Sequence, residues 1–475
     1  MSVPPGQLVE DYPALLERQT ERARTLRHST WKTRVAKLRR LKQTLLGHRE
    51  AIRAALWADF RKPAQEVDLT ELTALIAEIS HVERHLRRWM KPRRLHTPLP
   101  FIGTSAIRYL EPKGVVLVLA PWNYPLMLAL APVASAVAAG NCVVLKPSEF
   151  TPATSALIGR IVRETFDEAE VAVVEGGVET ARALLELRFD HIYFTGNPTV
   201  GRLVMEAAAR HLTSVTLELG GKSPAVVDAS AHIEQTARRL AFGKFSNAGQ
   251  TCIAPDYLLV QRSIFPALVD ALKRAIDDFF GTDRPPLLLS GIVSERHLGR
   301  LRDLIEEAVG AGARVLHGGA IYEAERVVMP TLITDVHPES RLLTEEIFGP
   351  ILPILPYDDL DEALAVIAGK PPALTLYVFS TRPEAVKRVR ERTSTGSILV
   401  NDTLIQFSHP EMAFGGSHES GVGRSHGHAG FMAFSNERPV LWQHAGAMAL
   451  FAKLYPPYNR ASRWLQAFLL RWYGR

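Results

Sequence analysis

"FDHIYFTGNPTVGRLVMEAAARHLTSVTLELGG", residues 189–221, decides how this chain folds. Two short runs of β-branched and aromatic residues, HIYFT and VTLEL, flank a helical pattern predicted over 200–212. Gly196 and Gly201 bracket the turn between the first run and the helix. Strand, glycine turn, helix, strand is a crossover unit, so its two strands lie parallel in one sheet.

Working outward, the same texture recurs. GVVLVLAP at 114, CVVLKP at 142 and VAVVEG at 171 read as further strands. The helix MLALAPVASAVAAGN between the first two ends in the Gly140 and Asn141 of a C-cap. Strands at this spacing predict an α/β fold with a parallel, doubly wound sheet, whose chemistry collects at the carboxyl ends of its strands. A second alternating section, with SPAVVD, YLLVQ, ILPILPY, LTLYVFS and SILVND as strands and helices over 264–279 and 296–311, predicts a second α/β domain. Before both come amphipathic helices from Val9 to Trp89. Residues 91–112 come next, broken by prolines and a glycine into a hairpin or an extended excursion.

A chain of 475 residues exceeds one ordinary core. Two cysteines make no disulfide framework, which fits a reducing compartment. The first residues lack the apolar core of a signal peptide, and no apolar run reaches the ~18 residues of a spanning helix. A cytoplasmic location is therefore expected. Residues 1–50 hold eleven Lys and Arg against five acids, but without interleaved aromatics in a known module. That excess reads as a solvated helix face, and no nucleic-acid partner is expected.

Several residues carry candidate chemistry. Lys146 and Glu149 in LKPSEF end a strand, either as ribose contacts or as a surface ion pair. The Gly196–Gly201 turn either faces a phosphate with its N–H groups or is simply tight. Glu218, closing VTLELGG, is either a capping or ion-pair group or a base whose pKa burial has raised. Asn123 in APWNYP either donates its amide to an oxyanion or shapes a turn. Cys252 in FSNAGQTCIAPDY sits after Gly249 and Gln250, which suggests a tight turn exposing a nucleophilic thiol. Cys142 lies among apolar neighbours and reads as core. In EEIFGP, Glu346 is either a solvated loop acid or holds a ribose while the Phe348 ring flanks a nicotinamide. Histidines 409, 418, 426 and 428 show neither HExxH nor paired Cys/His spacing, so no metal is expected.

Together, APWNYP, KPSE, FTGNPTVG, LELGGKSP, NAGQTCIAPDY and EEIFGP, in this order, resemble the NAD(P)-dependent aldehyde dehydrogenase superfamily, most nearly its class 3 and fatty or aromatic aldehyde branch. The resemblance implies a Rossmann-like dinucleotide domain (1–90 and 113–218), a catalytic domain (219–400) and a small β oligomerisation extension (91–112 and 401–440). The tail, 441–475, stands apart. It also implies Cys252 as nucleophile, Glu218 as the activator of water and Asn123 as the oxyanion donor. Trp122, Lys146, Glu149, Gly196, Gly201, Glu346 and Phe348 become cofactor contacts, with NAD favoured and NADP not excluded. An aldehyde substrate and a homodimer are implied by the same likeness. Two other readings compete: a CoA-acylating enzyme of the same fold, against which Glu218 argues, and a non-catalytic relative, against which the complete Cys, Asn and Glu set argues.

The tail places Trp464, Phe468 and Trp472, with Leu465, Leu469 and Tyr473, on one helical stripe beside Arg460, Arg463 and Arg471. Such a helix docks on its own subunit or dimer mate, or lies in a membrane interface. In fatty aldehyde dehydrogenases, C-terminal segments of this kind gate a long substrate or anchor to membranes.

Overall fold

The computed structural model describes residues 12–98, 101–281, 286–444 and 454–474. Its six-stranded sheet has the order Gly421–Val422, Ser214–Leu219, His191–Gly196, Val115–Leu119, Cys142–Lys146, Val171–Val173. All pairs are parallel except the first. The chain starts in the middle, winds to one edge and then to the other. That leaves a crevice at the carboxyl ends of Val115–Leu119 and His191–Gly196, the switch point where such sheets hold ligands. Val115–Leu119 and Cys142–Lys146 are buried along their whole length, as their unbroken apolar runs require when helices cover both faces.

The second sheet has seven strands, in the order Arg314–His317, Thr331–Thr334, Ile351–Tyr357, Tyr257–Gln261, Pro224–Val227, Thr375–Phe379, Ser397–Val400. The five strands legible in the sequence form its body. Arg314–His317 pairs antiparallel at one edge. The molecule is thus α/β with two predominantly parallel sheets. A separate antiparallel sheet joins Arg93–Arg94, Thr104–Pro112 and Ser435–Gln443.

Two details depart from the sequence reading. The helix after the glycine turn runs Pro198–Arg210 and is capped by Asn197, whose side chain accepts from Val200 N–H at 3.0 Å. Gly201 therefore lies within the helix, where an added Cβ would come to 3.0 Å from Leu219. Its smallness serves close packing of helix on strand. Second, of residues 401–440 only the stretch beginning at Ser435 enters the antiparallel sheet, where it runs on to Gln443. Gly421–Val422 pairs with Ser214–Leu219, and Phe431 and Phe434 pack into the core of the N-terminal helices. Apolar burial draws that segment inward.

The N-terminal helices brace the turns that carry the polar residues. Between Ala64–Val67 and Ala74–Trp89, a π-helical turn over Asp68–Thr73 carries Glu71 into the interior. Both Glu71 and Lys62 are fully buried and pair at 3.0 Å. The Lys62 ammonium also lies 3.9 Å from the Tyr124 ring centroid. The other carboxylate oxygen of Glu71 accepts from the backbone N–H groups of Leu126 and Met127, at 3.2 and 2.9 Å, where the helix Met127–Ala139 begins. One carboxylate thus fixes the turn that carries Asn123. Glu71→Gln leaves Lys62 buried without its counter-charge, which typically costs about 3–5 kcal/mol. The expected outcome is a clear fall in melting temperature in a thermal scan; an unchanged value would show that the pair carries no net stability.

Candidate active site

The helix Ile233–Phe245 ends in a single turn, Ser246–Gly249, in which Asn247 and Ala248 adopt φ of 53° and 52° and Gly249 φ of 70°. Two consecutive left-handed residues with side chains need external support. Asn247 N–H donates to Glu66 at 2.6 Å, and its side-chain amide donates to the carbonyls of Asn123 and Gln250 at 2.9 and 3.1 Å. Gln250, fully buried, donates to the carbonyls of Asn247 and Gly291 at 3.0 Å and accepts from Val293 N–H at 3.0 Å. Gly249 abuts the carbonyl of Gly349 so closely that no Cβ fits. The turn delivers Cys252, partly exposed, into a cavity; Cys142 is buried, and neither is in a disulfide.

Glu218 lies in the wall of the same cavity. It is paired between Thr195 on one side and Gly421 on the other, near the end of Ser214–Leu219. One carboxylate oxygen accepts from the Ser425 hydroxyl at 2.8 Å; the other is buried with no hydrogen-bond partner. Burial pushes the carboxyl up to about 8, opposed by the Ser425 bond and by Arg424. A base of this strength is well matched to neutral pH.

Asn123 is buried and donates its side-chain amide to the Gln250 carbonyl at 3.0 Å, two residues before the nucleophile. Burial pushes the Cys252 thiol up to about 12, with Glu346 and then Glu218 adding to the shift. The backbone N–H groups of Cys252 and Ile253 favour its thiolate. Glu346 presses against Gly220, where a Cβ would collide with its carboxylate. Burial, and then the nearby Asp256, push Glu346 up to about 8, while Gly221 N–H, Lys222 and Arg300 oppose them.

Several of the residues assigned to a dinucleotide stand at or just beyond the carboxyl ends of the strands Val115–Leu119, Cys142–Lys146 and His191–Gly196. Lys146, buried, donates to the Pro147 carbonyl at 3.1 Å and to Glu149 at 3.0 Å. Trp122 and Phe348 meet edge-on, with ring centroids 5.2 Å apart, across the gap between the two sheets. Two aromatics not singled out in the sequence extend that wall. His297 lies 5.1 Å from Trp122, and Phe150 lies 6.2 Å from His297. Only the placement of Phe150, one residue after Glu149, hinted at this.

The cavity holding Cys252 and Glu218 has a volume of about 180 Å³ and is walled by Leu128, Phe242, Ile253, Leu374, Phe407 and Phe414 among others. His426 also lines it, stacked 5.2 Å from Phe414 and edge-on at 4.5 Å to Phe407. Burial holds that imidazole down to about 4, so it is neutral and the wall stays uncharged. Ser425 was not singled out in the sequence, and His426 was weighed there only as a metal ligand.

The whole length of this architecture has relatives. Residues 5–440 match the family model described as the aldehyde dehydrogenase family. The chain belongs to that family. Aldehyde dehydrogenase family 3 member B1 of Rattus norvegicus is 42% identical over 439 residues, covering 92% of both chains. The 4,4'-diaponeurosporen-aldehyde dehydrogenase of Staphylococcus aureus (strain NCTC 8325 / PS 47) is 39% identical over 437 residues, covering 92% of this chain and 94% of that one. The structure of Staphylococcus aureus AldH in a substrate-bound state superposes with a TM-score of 0.91 at 36% identity, over 99% of this chain and all of that one. A betaine aldehyde dehydrogenase from Staphylococcus aureus, solved in complex with NAD+, superposes with a TM-score of 0.83 at 25% identity, over 92% and 88% of the two chains. This aldehyde dehydrogenase is accordingly an oxidoreductase.

A buried carboxyl raised to about 8 accepts a proton only when ionised, so base-dependent turnover of this aldehyde dehydrogenase falls as pH drops through that value. Ser425 holds the carboxyl lower than burial alone would. Ser425→Ala is therefore expected to move the midpoint of the pH–kcat profile to higher pH and to reduce kcat several-fold at pH 7. A midpoint that stays in place in the variant would show that this bond does not tune the base.

Proposed function

We propose that the protein oxidises medium- or long-chain aliphatic, or aromatic, aldehydes to carboxylates through a covalent Cys252 intermediate. The observation that carries this is one apolar cavity with the Cys252 thiol and the unpaired Glu218 oxygen in its wall. An apolar chain or ring fills such a space, whereas a small polar aldehyde leaves it wet. One relative carries 4,4'-diaponeurosporen-aldehyde in its name.

The Cys252 sulfur, once deprotonated, adds to the carbonyl carbon, and the carbonyl oxygen takes up the negative charge. The side-chain amide of Asn123 has two N–H donors and uses one on Gln250, which leaves one for that oxygen beside the Cys252 N–H. A nicotinamide cofactor, when bound, would accept the hydride that leaves the former carbonyl carbon, whose oxygen then re-forms the C=O double bond to give a thioester on Cys252. The residues present fit the cofactor. The crevice at the switch point offers Lys146 and Glu149 for a ribose, and Gly196, just before the helix start Pro198–Arg210, for phosphates, whereas the Gly201 N–H is already bonded to the Asn197 carbonyl inside that helix. Trp122, Glu346 and Phe348 fit the nicotinamide end. Glu149 disfavours a 2′-phosphate, which favours NAD over NADP. Glu218 then takes a proton from water; the water oxygen adds to the thioester carbon, the carbon–sulfur bond breaks, and the carboxylate leaves with Cys252 restored.

Glu218→Gln is expected to leave the acyl group on Cys252, detectable as an added mass on the intact chain after incubation with decanal or benzaldehyde and NAD. Cys252→Ala is expected to abolish both turnover and the adduct while cofactor affinity is unchanged. Full turnover by Glu218→Gln would overturn the assignment of the base.

Homodimer formation through the antiparallel sheet belongs to the same proposal, supported by the nine-residue strand Ser435–Gln443 at its edge. Cytoplasmic placement is supported by two free cysteines. The tail helix Arg460–Tyr473 buries only Ser462, and its Trp464, Phe468 and Trp472 rings stack in a ladder with centroids 5.9 and 6.2 Å apart. Trp464 and Leu470 are 69% and 76% exposed. Among the described residues no helix is long and apolar enough to cross a membrane. An aromatic ridge beside three arginines, in a tail without acids, fits the surface of an anionic bilayer. Wild type is expected to co-sediment with phosphatidylserine vesicles, and Trp464→Ala/Phe468→Ala/Trp472→Ala to lose most of that binding. Equal sedimentation of the two would overturn the membrane assignment.

A further inference from the structure

Away from the catalytic cavity, the helix Ala74–Trp89 carries the sequence HVERH at residues 81–85. His81 and His85 are one helical turn apart, so their rings share a face. Their centroids lie 4.3 Å apart. Against that face comes Glu411, from a turn in which its own N–H bonds His409 at 3.3 Å. One ligand atom from each of His81, His85 and Glu411 lies within 4.8 Å of the other two, the one such group of three among the described residues.

We propose that His81, His85 and Glu411 form a binding site for a borderline divalent cation of the Zn2+ type. The first support is an unsatisfied nitrogen. His81 is 3% exposed, and its Nε2 has no hydrogen-bond partner. A Glu411 oxygen lies 3.6 Å from that nitrogen, beyond hydrogen-bond reach. Ion–ligand bonds of 2.0–2.2 Å in tetrahedral geometry put two donor atoms about 3.4 Å apart, so the gap has the width an ion needs. The second support is the orientation of His85, whose Nδ1 hydrogen-bonds the His81 carbonyl at 2.8 Å. That bond places the proton on Nδ1 and leaves the lone pair on Nε2, the usual arrangement of a metal-ligating imidazole. Glu411 is 62% exposed at its side chain, which gives the ion an entry path.

The donor set selects the ion. Arg84 and Arg88 act on His81 as positive neighbours, so a field of negative charge is not what would hold a cation here. Two imidazoles and one carboxylate suit Zn2+ and its Co2+ surrogate, and disfavour Mg2+ and Ca2+, which prefer oxygen. The ion would tie the helix to residues 409–411, which directly succeed Phe407 and Ser408 in the wall of the substrate cavity. A Cβ at Gly427 would lie 3.5 Å from His81 Nε2, so the turn bearing Ser425 and His426 abuts the same place.

The test uses the full chain with Cys252→Ser, which removes the thiol as a competing ligand. Titration with Co2+ is expected to saturate at one ion per chain and to give visible d–d bands without sulfur-to-cobalt charge transfer. Zn2+ should displace it, and Mg2+ should not. Placing His85→Ala or Glu411→Gln in that background is expected to weaken binding tenfold or more. Both positions reach the surface, and an unchanged ion-free melting temperature checks that the fold is intact. Absence of saturable binding, sulfur charge transfer, or equal affinity in the two added variants would each overturn the site.

Discussion

Backbone N–H groups at a catalytic turn have neither helix nor strand to bond to, and a buried amide left unpaired is costly. Here the N-terminal helical region supplies the acceptors. Glu66 takes the N–H of Asn247 in the nucleophile turn, Glu71 takes those of Leu126 and Met127 beyond Asn123, and Glu78 takes that of Gly427 beyond Ser425. Asp59 does the same for Ala153 and Thr154, where the helix after Glu149 begins. Four carboxylates of the N-terminal helices thus hold four segments that line the site. The amides of Asn123 and Asn247 then lock the two central turns to each other, which fixes Asn123 relative to the turn that leads to Cys252.

Electrostatics imposes a second constraint. Cys252 is buried near Glu346 and Glu218, and both carboxylates add to the cost of ionising its thiol. Three negative charges cannot coexist there. The thiol, highest of the three, is protonated at rest, which protects a reactive sulfur until the site fills. In the proposed mechanism, charge would appear on one group at a time, first on sulfur and the substrate oxygen and later on the carboxylate. Lys222, paired with Asp256 and bonded to the carbonyls of Leu342 and Glu345, keeps a positive charge near Glu346 without touching the sulfur's cavity.

Much of this was legible in the chain. Apolar runs marked nearly every strand of both sheets, because parallel strands buried on both faces cannot alternate. Cys252 and Glu218 stood out because a thiol amid polar residues, and a carboxylate inside an apolar strand, break local rules that cores obey. What escaped was long-range. Glu66, Glu71 and Glu78 look like solvated acids on amphipathic helices, and only tertiary packing turns them inward. Arg314–His317 and Thr331–Thr334 are too short and too mixed to announce themselves as strands. Gly201 suggested a loop, since sequence does not reveal that Leu219 lies beneath it. HVERH has paired histidine spacing, yet its third partner, Glu411, comes from a distant turn.

The partner chosen for Glu218 shows how narrowly such a base is tuned. A lysine or arginine in direct contact would stabilise the carboxylate by charge and depress its pKa by one to three units, leaving a weak base. No partner at all would let burial drive the carboxyl further up, leaving a still smaller ionised fraction at neutral pH. A neutral hydroxyl does neither. Ser425 satisfies one oxygen and fixes the plane of the carboxylate, while the second oxygen stays bare for a water's proton. The antiparallel pairing of Gly421–Val422 with Ser214–Leu219 is what brings Ser425 back over the strand end. A two-residue strand at a sheet edge therefore positions the hydroxyl that tunes the Glu218 carboxyl.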